Sequence, residues 1–169
     1  MELVSYDWWA FCFRWFHILS GIMWIGLLWY FNFVQTPSMP KIPDEQKPAI
    51  TKVIAPEALF WFRWGAMFTL IFGLILAWLL GFIGQALSLG IGQHDLHFTL
   101  IGFGMWLGII MWFNVWFIIW PNQKKVMGLV TATPDEVNAA RRIAGLTSRV
   151  NTMLSIPMLY AMASSHYFG

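Results

Sequence analysis

This sequence is poor in charged residues and in cysteine. It holds 10 basic and 8 acidic residues in 169, so that 11% of the chain is charged, whereas about 25% is usual in soluble domains. Its single cysteine, Cys12, excludes an intrachain disulfide, a CxxC redox pair and covalent haem attachment through CxxCH. The net charge of +2 is too small to indicate a nucleic-acid-binding surface.

Apolar residues take the place of the missing charges. The chain is 59% hydrophobic and 18% aromatic, and its mean hydropathy is +0.62, which is typical of an integral membrane protein. A chain of this length has room for one compact domain, residues 1–169, and for no second soluble domain. The first apolar run is too long for a cleavable signal peptide, so we expect it to remain as a helix.

Four stretches reach the length of about 20 mostly apolar residues that a membrane-spanning helix needs. They cover about residues 15–34, 58–83, 96–120 and 150–168, and tryptophan or tyrosine stands at their ends as in an aromatic belt. The sequence therefore predicts an all-α membrane protein, a bundle of four transmembrane helices. Residues 35–57, with five prolines and three lysines, are expected to form a kinked polar loop, and residues 121–149 are expected to form a second long connection.

The basic residues predict the orientation of this bundle. All of them except Arg14 fall in the two long connections or beside them, and the positive-inside rule places such loops in the cytoplasm. Both termini then lie on the outer, periplasmic side of a bacterial inner membrane. In the second connection, Thr133 and Glu136 flank Pro134 as a capping box, which predicts a helix that runs on into the fourth span.

The histidines gather at one end of the predicted bundle. His17, His94, His97 and His166 all fall near the outer face, and imidazole is a common ligand of haem and transition metals. His17 is the strongest candidate because it lies inside an apolar span. His94 is equally explained as a solvated turn residue, and His97 and His166 as interfacial residues. Arg14 shares the face of His17 and either pairs with an anion such as a haem propionate or extends to the headgroups.

A second polar set lies at the cytoplasmic ends of the spans. We interpret this set as structural, held by interhelical hydrogen bonds, with an ion pair between Glu57 and Arg63. Its main members are Asn32, Arg63, Asn114 and Asn151. Stripes of small residues, which usually mark helix contacts, occur at Gly73, Ala77 and Gly81 and at Gly104 and Gly108.

Four segments of the chain, in order, resemble the N-terminal membrane domain of the bacterial membrane-bound urate oxidase (urate hydroxylase) family. They are residues 14–26 (RWFHILSGIMWIG), 56–64 (PEALFWFRW), 114–125 (NVWFIIWPNQKK) and 151–157 together with 165–167. In that family the membrane domain precedes a periplasmic c-type cytochrome. The residues that the resemblance carries over are His17, Arg63, Asn114, Asn151 and His166.

The sequence also departs from the family pattern. It is shorter between the second and third segments, and it is expected to lack the C-terminal cytochrome domain, so that electrons would need an external acceptor. Phe60, Gly65 and Val150 stand where the family usually has ionisable residues. These departures separate the resemblance from the urate chemistry itself.

Two functions follow. The first is a membrane redox protein that binds b-type haem through His17 and a second histidine, His97 or His166, and passes electrons to an acceptor such as a periplasmic cytochrome c. The second is a cofactor-free accessory subunit of a larger respiratory or photosynthetic complex. Copper handling and transport are weaker hypotheses, because no methionine ligand cluster and no midplane acidic residue is evident. Four helices bury a modest core, so we expect a homodimer or an assembly with other membrane subunits.

Overall fold

Helices make up nearly all of the part of the chain that this computed structural model describes, residues 5–91, 95–165 and 167. Two long helices form an antiparallel hairpin joined by a short turn. The first consists of α1 (Tyr6–Trp29), a π-helical segment (Tyr30–Gln35), α2 (Thr36–Ser38) and a 3₁₀ turn (Met39–Lys41). The second consists of α3 (Lys47–Ala49), a π-helical segment (Ile50–Ile54) and α4 (Ala55–Leu79). The turn between them is confined to residues 42–46.

A second pair of helices completes the molecule. After α5 (Ile83–Leu87), the third long helix consists of α6 (Leu96–Phe113), a π-helical segment (Asn114–Ile119) and α7 (Trp120–Val126). It packs against α8 (Pro134–Ser164). The capping box at Thr133 and Glu136 is present, and α8 runs without interruption past Arg149, so both parts of that prediction are confirmed.

The three π-helical segments share one cause in the sequence. Each ends two residues before a proline, at Pro37, Pro56 and Pro121. A proline inside an α-helix lacks the N–H that would bond four residues back, and its ring collides with that carbonyl group. A wide turn of π-helix at this position relieves the collision, so the helix passes through the proline instead of ending.

The expectation of a kinked polar loop over residues 35–57 is therefore wrong. The first long helix continues to Lys41 and the second begins at Lys47. The predicted span of 15–34 begins at Tyr6 in the structure, and the predicted span of 96–120 continues to Val126. An α-helix usually ends near a proline, and the π-helical turns let these helices continue through Pro37, Pro56 and Pro121.

Three helices among the described residues are long and apolar enough to cross a membrane: Tyr6–Lys41, Lys47–Leu79 and Leu96–Val126. The predicted fourth span of 150–168 falls largely within α8 but is not among them. The cytoplasm-facing half predicted for α8 carries arginines, and its apolar half is interrupted by buried Asn151, Thr152 and Ser155. The protein is thus a helical membrane protein with three such helices, and the crossing by α8 remains a prediction.

The hydrophobic core lies toward the end of the bundle that carries the turns at residues 42–46 and 127–133, which we call the basic end. All four long elements contribute to it, and Leu28, Ala66 and Met111 are completely buried. Its members are Trp24, Ile25, Leu28, Leu59, Phe62, Ala66, Met111, Val115, Ile119 and Met158. Along the bundle α1 packs mainly on α4 and α6 mainly on α8, and α1 and α4 contact α6 and α8 much less.

Candidate functional site

His17 lies between α1 and α4, with its ring half-buried. Its Nδ1 atom is 2.8 Å from the carbonyl oxygen of Thr69. Because a carbonyl oxygen only accepts hydrogen bonds, Nδ1 carries the proton and donates it. The neutral ring then holds its free lone pair on Nε2, which has no hydrogen-bond partner among the described residues.

A glycine makes this approach of the two helices possible. A Cβ atom at Gly73 would lie 2.8 Å from both Cε1 and Nδ1 of His17, closer than carbon and nitrogen atoms can pack. Gly73 belongs to the small-residue stripe of α4. At this position the stripe therefore contacts an imidazole ring and not only the backbone of the neighbouring helix. The neighbouring residues Phe72 on α4 and Phe16 on α1 also contact each other across the two helices, with ring centroids 5.4 Å apart.

His97 has the same hydrogen-bonding pattern in the other pair of helices. Its Nδ1 atom lies 2.7 Å from the carbonyl oxygen of Ser165, so this ring also donates through Nδ1. Asp95 caps α6 by accepting the backbone N–H of His97 at 2.8 Å. The rings of Phe82 and Phe98 lie 6.3 and 5.3 Å from the imidazole, centroid to centroid.

The two histidines are at different depths. His17 contacts α4 at Thr69 and Gly73, whereas His97 contacts Phe82, beyond the end of α4 at Leu79. At a rise of 1.5 Å per residue, Gly73 lies roughly 9 Å along the helix axis from Leu79. No group of three or more metal-ligating side chains forms among the described residues. His94 and His166 lie outside the described residues, and Arg14 is exposed on α1.

The polar set at the basic end is joined by interhelical hydrogen bonds. Asn151 is completely buried; its Oδ1 accepts from Asn114 Nδ2 at 2.8 Å, and its own Nδ2 donates to the Met111 carbonyl at 2.9 Å. Asn32 Nδ2 donates to Ser148 Oγ at 2.8 Å. These contacts connect α8 to the first and third long helices.

Arg63 does not belong to this network, and the predicted ion pair with Glu57 is wrong. The salt bridges of the described residues are Asp44–Lys47 and Lys125–Glu136. Arg63 instead places its guanidinium carbon 3.6 Å from the centroid of Trp120 and 5.2 Å from that of Trp116. Sequence reasoning missed this contact, although a charge within a span and two tryptophans four residues apart were visible signals.

Three helices suited to crossing a bilayer define the class of this molecule as a multi-pass helical membrane protein. Within that class, residues 96–168 match the family described as urate oxidase N-terminal. The matched region contains the segment NVWFIIWPNQKK and the last helix, so the resemblance is confirmed for the second helix pair, which is a urate oxidase N-terminal-like region. No curated protein and no solved structure matches the chain.

Proposed function

We propose that this protein is a redox protein of the bacterial inner membrane that holds a b-type haem through His17. The observation that carries the proposal is the hydrogen bond from His17 Nδ1 to the Thr69 carbonyl, which orients the ring and leaves Nε2 free. Histidines that bind metals nearly always donate their other ring nitrogen in this way. The haem would supply one-electron transfer.

The surroundings of His17 suit a macrocycle. Phe16 and Phe72, the sequence neighbours of His17 and Gly73, form an aromatic pair across α1 and α4. The imidazole has no carboxylate partner among the described residues. Arg14 lies on the same face of α1, one turn toward the N-terminus, where an exposed guanidinium would pair with a propionate. His97 and His166 are the candidates of this chain for the second axial position, and His97 already has the same tautomer.

The proposed electron partner is an external acceptor such as a periplasmic cytochrome c. This part of the proposal rests on the match to the urate oxidase N-terminal family and on the orientation predicted from charge. Urate itself is the narrower form of the proposal, and Arg14 would be the cation that holds its anion.

The test is a reduced-minus-oxidised absorption spectrum of the purified protein in detergent, with a pyridine haemochrome assay. We expect a b-type haem band that His17→Ala abolishes and that an alanine at Ser20, one turn away on α1, leaves unchanged. His97→Ala distinguishes the second ligand, because loss of one of two ligands changes the spectrum from low-spin to high-spin. A folded but colourless wild-type protein would refute the haem site.

The second candidate function is a cofactor-free accessory subunit of a larger membrane complex. It is favoured by the distribution of the core, which lies toward the basic end. At the His17 end, large side chains of α1 face outward; Ile18 is 51% and Ile22 65% exposed. Under this hypothesis, mild detergent extraction yields a stoichiometric complex with other subunits, and the protein shows no chromophore.

A further inference from the structure

Arg63 is a cation whose side chain has no hydrogen-bond acceptor among the described residues. Its Nε and Nη1 atoms are buried and have no hydrogen-bond partner among the described residues. The contact with Trp120 uses the flat face of the guanidinium, at 3.6 Å, whereas the N–H donors lie in the guanidinium plane. Stacking on Trp120 therefore does not satisfy these donors, and a planar or tetrahedral anion in the guanidinium plane would supply the missing acceptor.

The groups next to Arg63 share this need for an acceptor. Trp116, 5.2 Å from the guanidinium carbon, buries an indole Nε1 that also has no partner in the described part of the chain. Lys124 places its Nζ 6.0 Å from the centroid of Trp120. Two cations thus approach one indole ring, and no carboxylate of the described residues pairs with either of them. A set made only of donors and positive charges is complementary to an anion.

The position of this set along the helices indicates where the anion comes from. Trp120 begins α7, and Lys124 lies one turn beyond it, at the end of the third membrane-spanning helix. Tryptophan followed by lysine marks headgroup depth in a bilayer, and a basic side chain there attracts anionic lipid. Phosphates of the lipid headgroups are therefore the anions present at this depth.

We propose that Arg63, Trp116, Trp120 and Lys124 form a binding site for the phosphate group of a phospholipid in the leaflet at the basic end. The in-plane N–H groups of Arg63 donate to two phosphate oxygens, and Lys124 supplies a second positive charge. Trp120 stacks on the face of the guanidinium and fixes its orientation. The site is independent of any haem at His17, which packs against α4 at Thr69 and Gly73, over one helical turn further along.

The test measures thermal unfolding of the delipidated protein in a neutral detergent during titration with one lipid at a time. Phosphatidylglycerol supplies the phosphate and a net negative charge, diacylglycerol supplies the same chains without phosphate, and inorganic phosphate supplies the anion without chains. We expect phosphatidylglycerol to raise the unfolding midpoint and diacylglycerol to leave it unchanged. A comparable response to inorganic phosphate would identify a soluble anion as the ligand and overturn the lipid assignment.

Variants connect this response to the site. Arg63→Gln should weaken the apparent affinity for phosphatidylglycerol at least about tenfold, as expected for loss of a charge-assisted pair. Arg142→Gln removes an equally positive but exposed side chain and should leave the affinity unchanged. If Arg63→Gln does not fold, Lys124→Gln and Arg63→Lys carry the test, and both should weaken binding.

Two results would overturn the proposal. The first is an unchanged phosphatidylglycerol response in Arg63→Gln, or in both substitute variants. The second is loss of an oligomer in Arg63→Gln, seen by native mass spectrometry, with no change in lipid response. That result would assign the anion to a carboxylate of a neighbouring subunit.

Discussion

At the scale of single residues, hydrogen-bond direction carries the functional argument. His17 and His97 both donate through Nδ1 to a backbone carbonyl, at 2.8 and 2.7 Å. One such contact is an ordinary way to satisfy a half-buried imidazole. The same contact recurs at two histidines on separate helix pairs, and it orients each ring through Nδ1. Histidines that bind metals are held in the same way, through the ring nitrogen that does not bind the metal.

Gly73 gives a direct test of how His17 is positioned. Gly73→Ala would place a methyl group 2.8 Å from the imidazole, so the ring must move away from the Thr69 carbonyl. If His17 holds the proposed haem, we expect its absorption band to be lost or markedly shifted, together with a lower unfolding midpoint. Gly108→Ala is the matched control, because a Cβ atom there meets nothing within 4 Å. An unchanged band in Gly73→Ala would show that the hydrogen bond to Thr69 does not position the ligand.

Asn151 tests the polar network at the same scale. Asn151→Ala leaves the Asn114 amide without its acceptor, and an interhelical hydrogen bond in a membrane is worth about 0.6 to 2 kcal/mol. We expect the free energy of unfolding to fall by that amount in a denaturant titration. Asn138→Ala, on the exposed part of the same helix, should change it by less than about 0.5 kcal/mol. Equal effects of the two variants would argue against a structural role for the network.

At the scale of elements, prolines and caps decide where the helices begin and end. The capping box of α8 was predicted correctly because it is local in sequence. Its two hydrogen bonds both join Thr133 to Glu136 and depend on no other residue. The π-helical segments were not predicted, because the sequence alone offers two responses to an X–Pro pair, ending the helix or widening one turn. Packing of α7 against α8 holds the third helix together beyond Pro121.

The capping box predicts a pH dependence at the start of α8. Hydrogen bonds from the backbone N–H and the side chain of Thr133, aided by Lys125, lower the pKa of Glu136 below its usual value. A lowered pKa in the folded state means that the stabilisation is present above the ordinary value of about 4.3 and disappears as the pH falls through the lower folded-state pKa. We expect amide hydrogen exchange in the first turn of α8, corrected for its intrinsic rate, to speed up over that range.

Glu136→Gln is the control for that measurement. Glutamine keeps an acceptor for the Thr133 N–H but does not titrate, so the corrected exchange rate should no longer depend on acidification. A pH dependence that persists in Glu136→Gln would contradict the assignment to this carboxylate.

At the scale of the whole molecule, hydrophobic length and the placement of the basic residues predict how many times the chain crosses the bilayer and in which direction. Three helices meet the requirements of length and hydropathy, and α8 lies along α6 for much of its length. An even number of crossings puts both termini on one side. The distribution of the basic residues predicts that this side is the periplasmic one.

Cysteine labelling in intact cells tests this topology. In a Cys12→Ser background, single cysteines at Tyr6 and Ile91 should react with a membrane-impermeant maleimide, whereas those at Gln46 and Leu129 should react only after lysis. All four positions are exposed. A cysteine at Tyr167 should behave like the one at Tyr6 if α8 crosses the membrane. Labelling at Leu129 in intact cells would reverse the orientation.

The sequence by itself determined the class of the protein, its all-helical character and the start of α8. These depend on local composition, on hydrophobic length and on residues within one turn of each other. Only the tertiary structure decided that His17 donates to Thr69 across α1 and α4 and that Arg63 stacks on Trp120 instead of pairing with Glu57. Those contacts join residues more than 50 positions apart in the sequence. Which residues meet depends on how closely the helices approach each other. That approach depends in turn on Gly73 and on the π-helical turn that precedes Pro121.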